Sequence, residues 1–155
     1  MRVREADRVT REAGDGHVTA HRHFHAYSWT GGREELEKRK AERNPGTVEF
    51  NGSTLPTEIV ADALARPPRA VAATFTDPAE AARWLSDHYR NTPSNDPAGS
   101  TPDEKEAFYA ESLAHGSDCV AGYYTRSFAF VHASVVCCPN HFKPEIRCPA
   151  PTATH

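Results

Sequence analysis

His17-Val18-Thr19-Ala20-His21-Arg22-His23-Phe24-His25-Ala26-Tyr27-Ser28-Trp29 is the stretch that decides the reading of this chain. No glycine or proline interrupts it. Odd positions carry His17, Thr19, His21, His23, His25, Tyr27 and Trp29. Even positions carry Val18, Ala20, Arg22, Phe24, Ala26 and Ser28. Successive side chains of a strand point to opposite faces, so this period of two predicts a strand with two chemically different faces. Gly31-Gly32 ends it.

Downstream, Arg33–Arg43 is a highly charged run with Leu36 as its one large apolar residue. Glu34/Lys38 and Glu35/Arg39 stand four apart, worth about 0.2–0.5 kcal/mol per pair to an exposed helix. Asn44-Pro45-Gly46 stops that helix, and Thr47–Phe50 reads as a short strand. Leu55, Ile59, Val60, Ala63 and Leu64 fall on one helical stripe that Pro67-Pro68 terminates. Arg69–Phe75 reads as a strand. Asp77-Pro78-Ala79-Glu80 and Thr101-Pro102-Asp103-Glu104 are two helix starts with a capping residue, Pro at the first helical position and Glu at the third. The second helix runs to about Ala114, and Gly116 stops it. Val120–Val136 is rich in Val, Phe and Tyr and free of Pro, and reads as a hairpin that breaks near Thr125-Arg126-Ser127.

Beyond Cys138, Pro139, Pro144, Pro149 and Pro151 preclude regular structure. Strands at both ends with helices between them predict an α+β domain. The expected architecture is a ferredoxin-like antiparallel sheet with helices on one face. The domain plan is a flexible arm over 1–16, an α+β domain over 17–138, and an irregular Cys/Pro-rich tail over 139–155.

The chain has 155 residues, which suits one domain. Leu, Ile, Val and Phe number only 24, below the roughly one-fifth share at which disorder becomes a concern. A net charge of -3 lacks the strong self-repulsion of disordered chains, so a folded domain with a small core is expected. No stretch approaches the roughly 18 apolar residues that read as a membrane span. Met1–Arg8 has no apolar signal region, which predicts a cytoplasmic location. In that reducing compartment Cys119, Cys137, Cys138 and Cys148 read as thiols or metal ligands rather than disulfides.

Arg2, Arg4, Arg8 and Arg11 are offset by Glu5, Asp7 and Glu12, and no basic stripe with interleaved aromatics follows. There is thus no positive evidence for nucleic-acid binding. The chain also lacks a glycine-rich phosphate loop, G-x-S-x-G and H-E-x-x-H, so no nucleotide cofactor is indicated. No partner is specified, although a strand left at the edge of the sheet offers a route to a homodimer.

Two groups of residues suggest metal chemistry. His21, His23 and His25 project from one strand face about 6.5–7 Å apart. Two such imidazoles reach one ion. A third ligand completes a catalytic zinc site with an open position for water, with His132, His88 and His115 as candidates. A carboxylate in that place gives a non-haem iron triad instead. Separately, Cys138, His141 and Cys148 form a C-x2-H-x6-C arrangement suited to structural zinc, with Cys137 or Cys119 as a fourth ligand. Adjacent Cys137 and Cys138 point to opposite faces if the strand runs through both.

The expectation is a small metal-binding protein that holds zinc or iron. In one form it is a metalloenzyme built on the His-x-His-x-His strand. In the other it is a non-catalytic accessory or regulatory protein, for example of a mobile element or biosynthetic cluster, with a structural Cys/His site.

Overall fold

The structure, a computed structural model, describes residues 22–149. Four strands form one sheet: β1 (His23–Gly31), β2 (Ala73–Phe75), β3 (Cys119–Tyr124) and β4 (Phe130–Cys138). Their order is β2-β1-β4-β3, and every pairing is antiparallel. Among the described residues, four α-helices accompany them: α1 (Glu34–Lys38), α2 (Val48–Gly52), α3 (Pro78–Asn91) and α4 (Pro102–Ala114). The class is α+β, as the element order predicts.

The antiparallel sheet carries both long helices on one face. The threading, however, runs strand, short helices, strand, two long helices, then a hairpin, whereas a ferredoxin-like chain runs βαββαβ. The difference arises because α3 and α4 follow one another with no strand between them. They form a helical hairpin, and the chain returns to the sheet only at β3. The central strands β1 and β4 are therefore antiparallel neighbours.

Alternation on β1 sorts the two faces. Phe24 and Ala26 face α3 and α4, where they pack with Ala81, Leu85, Leu113, Val135 and Cys137 in the main core. Register explains the match, since Phe24 lies opposite Cys137 and Ala26 opposite Val135. The caps behave as their residues dictate. The Asp77 side chain accepts from the Ala79 N–H at 2.9 Å, and Thr101 and Glu104 form a reciprocal capping box. Arg90 on α3 then ties the helices together, bonding Asp103 at 2.6 Å and Glu106 at 2.7 Å.

The opposite face is covered by irregular chain. Ala63, Leu64, Val136 and Cys138 form one small cluster, and Leu36, Leu55 and Phe130 another. With both faces covered, β4 is buried along nearly its whole length.

Here the structure departs from several local expectations. Thr47–Phe50 is not a strand: Thr47 caps α2 by accepting from the Phe50 N–H at 3.2 Å, and Phe50 turns inward. The charged run breaks at Arg39 into α1 and a 3-10 helix over Lys40–Arg43. The stripe from Leu55 to Leu64 is helical only as a 3-10 turn over Val60–Ala65. Arg43 Nε donates to the Pro56 carbonyl, and the Ile59 carbonyl accepts both Thr57 Oγ1–H and the Asp62 N–H that opens the 3-10 turn. Of Arg69–Phe75, only Ala73–Phe75 is strand.

The described part of the tail is irregular but anchored. Asn140 is almost fully buried. It donates to both Asp118 carboxylate oxygens at 3.1 Å and accepts from the Phe142 and Lys143 N–H groups. Lys143 pairs with Asp62 at 3.4 Å, and Ile146 and Cys148 pack on the Val136–Cys138 cluster.

Candidate metal centre

His23 and His25 stand on the face of β1 away from the long helices, with ring centroids 4.9 Å apart. The sheet register places Cys138 directly opposite His23. Side chains of directly opposed residues share a face with Cβ atoms about 4.5–5.5 Å apart, so the pairing itself brings thiol and imidazole together. The tail delivers Cys148 over the same spot. Its Sγ lies 3.0 Å from His23 Nε2 and 3.3 Å from His25 Nε2.

One potential ligand atom from each of His23, His25, Cys138 and Cys148 lies within 4.8 Å of the other three. Zinc bond lengths of 2.0–2.3 Å give a tetrahedron with edges of about 3.3–3.8 Å. The nitrogen–sulfur spacings are already close to that size. These four groups form a set able to hold a metal ion.

The electrostatics favour the same chemistry. His25 is fully buried, and burial, aided by the neighbouring His23, lowers its pKa to about 4. It is therefore neutral at pH 7, with a lone pair available. His25 Nδ1 lies 3.0 Å from Thr74 Oγ1, a residue opposite it on β2. If Nδ1–H donates to that hydroxyl, Nε2 is left to face the sulfurs, and Thr74 orients the ring as outer-shell partners of metal-binding histidines do. Burial pushes the Cys138 thiol up to about 12, and Cys148 adds to the effect. A divalent cation inverts that preference, because a coordinating thiol loses its proton outright.

Among the described residues, the remaining candidates lie elsewhere. His21 falls outside the described residues. His141 sits on an exposed turn with its ring 5.0 Å from that of Phe142 and does not join the group. β4 runs through both Cys137 and Cys138, so Cys137 points into the helix-side core while Cys138 faces the histidines. Cys119 is also buried in that core. His88 bonds the Trp84 carbonyl through Nδ1 at 3.1 Å, and His115 the Glu111 carbonyl at 2.8 Å. His132 lines a separate cavity. The two groups read from sequence thus meet as one site, each supplying two members. The missing signal was the strand register, which no local pattern encodes.

The chain matches no family model, no curated protein and no solved structure. The geometry of the site is therefore what bears on function. Among the described residues, no helix is long and apolar enough to cross a membrane.

Proposed function

We propose that this is a zinc protein in which His23, His25, Cys138 and Cys148 hold one structural ion, and that it works through its surface as a non-catalytic accessory protein. The observation that carries this reading is the four-member ligand set itself. A tetrahedral pair of sulfurs with a pair of nitrogens suits zinc, whereas the facial iron triad needs a carboxylate, and the group has none. Four protein ligands also complete zinc's usual coordination, leaving no position for a reactive water.

The ion would join the first strand of the described fold to the tail. That role fits a chain with few large aliphatic residues, because metal binding adds directly to folding free energy. Thiolate ligands persist only while reduced, which supports a cytoplasmic location.

Metal analysis by inductively coupled plasma mass spectrometry on untagged full-length protein tests the reading. One zinc per chain is expected, lost in both His25→Ala and Cys148→Ser while circular dichroism retains the α+β signature. Folded wild-type protein without metal would refute the proposal. Stoichiometric iron would overturn the metal assignment. Zinc retained in Cys148→Ser would instead support a three-ligand site with an open position and return the metalloenzyme reading.

A further inference from the structure

The two sulfurs of the metal centre also form a pair with chemistry of their own. All four cysteines are free thiols, and Cys148 alone is not buried. Its Sγ lies within 4.8 Å of the Cys138 Sγ. A disulfide needs about 2.05 Å. Cys148 lies outside every helix and strand, so rotation of its side chain and a small shift of the tail can close that gap without breaking the sheet.

Protein contacts, independent of any ion, hold the pair together. Asn140 is bonded to both Asp118 carboxylate oxygens, and Lys143 pairs with Asp62 at 3.4 Å. Ile146 and Cys148 then pack on the cluster that contains Cys138. The thiols therefore stay adjacent when an ion leaves, and reaction between them is intramolecular.

The other two cysteines are set apart. Cys119 is 5% exposed and Cys137 1%, both in the core on the opposite face of the sheet. A small oxidant meets Cys148 first, with Cys138 beside it. An accessible thiol next to a second thiol that can resolve it is the arrangement of redox-sensing cysteines.

We propose that Cys148 and Cys138 are a peroxide-reactive pair whose oxidation to a disulfide opens the metal site. The release of zinc rests on the structural-zinc reading, whereas the pairing of the thiols does not. The Cys148 thiolate sulfur attacks one oxygen of hydrogen peroxide, the O–O bond breaks, and a sulfenic acid and hydroxide form. The Cys138 thiolate attacks that sulfur, the S–S bond forms, the S–O bond breaks, and a second hydroxide leaves. Each hydroxide takes a proton and becomes water. The sulfurs lose two electrons and the peroxide oxygens gain two, while zinc has no redox change. Two imidazoles are then the whole remaining ligand set.

Hydrogen peroxide added to untagged full-length protein loaded with zinc tests this. Zinc released to a chromogenic chelator should rise mole for mole with a Cys138–Cys148 disulfide located by tryptic mass mapping, and dithiothreitol should reverse both. Cys138→Ser should stop at the sulfenic acid, trapped on Cys148 by dimedone. The wild-type map decides the matter even if that variant fails to fold. Zinc and both thiols retained under excess peroxide overturn the proposal and leave the zinc reading standing. A disulfide through Cys119 or Cys137, a disulfide between chains, or Cys148 carried to sulfinic acid without a disulfide overturns it too. In protein that carries no zinc at the outset, the zinc reading fails by itself, and the presence or absence of the same disulfide still decides the thiol pairing.

Discussion

Replacing Thr74 by Val removes one hydroxyl and almost no volume, so it isolates the bond that orients His25. That bond spans 3.0 Å between Thr74 Oγ1 and His25 Nδ1, and His25 is fully buried. Without metal, the variant imidazole can move its proton to Nε2 and donate to the Cys148 sulfur 3.3 Å away. With metal on Nε2, the proton must sit on Nδ1, where Val offers no acceptor. The penalty thus falls mainly on the metal-bound state. An unsatisfied buried donor costs about 1–3 kcal/mol, and loss of such an orienting partner typically weakens metal binding 10–100-fold. Those ranges agree, because 10–100-fold is about 1.4–2.7 kcal/mol. Thr74→Val should therefore weaken zinc binding 10–100-fold in a chelator competition titration, and Thr74→Ser should restore most of the loss. The backbone pairing of β1 with β2 does not depend on that hydroxyl, so circular dichroism should be unchanged. A dissociation constant within threefold of wild type would refute the orienting role.

Cys148→Ser should raise amide exchange over residues 143–149. Asn140 stays locked to Asp118, so the turn at 139–142 should keep its protection, and exchange mass spectrometry separates the two segments. Leu85→Ala should cost about 2–5 kcal/mol in urea unfolding, because Leu85 is fully buried against Phe24 and Leu113, and zinc content should be unaffected. Burial, reinforced by Arg43, lowers the His132 pKa from 6.5 to about 4 in the folded state. The unfolded chain therefore binds the extra proton between those values, and stability falls as pH drops from 6.5 toward 4, by about 3 kcal/mol from this group. In denaturant titrations across that window His132→Gln should lose correspondingly less than wild type, and parallel profiles would contradict the assignment.

Local chemistry in the sequence was enough to place the strand that carries His23 and His25, helices α3 and α4, and the hairpin of β3 and β4. Each rests on signals within a few residues: a period of two, a capping Asp or Thr before Pro, and a run of β-branched and aromatic residues. The stretch from Arg33 to Arg69 was less legible. Its Pro56 and Leu55 carbonyls accept from the Arg43 and Arg66 side chains, and those partners are chosen by how the segment folds back on itself. The site divided in the same way. The histidines and the cysteines each stood out as metal-ligand types, and alternation correctly separated Cys137 from Cys138. That they form one cluster depends on the register pairing His23 with Cys138 and on a tail contact between residues 125 positions apart. Periodicity tells which face a side chain takes, because that is a property of one strand. Which residue stands across from it is settled by how the whole sheet packs, and only the folded chain decides that.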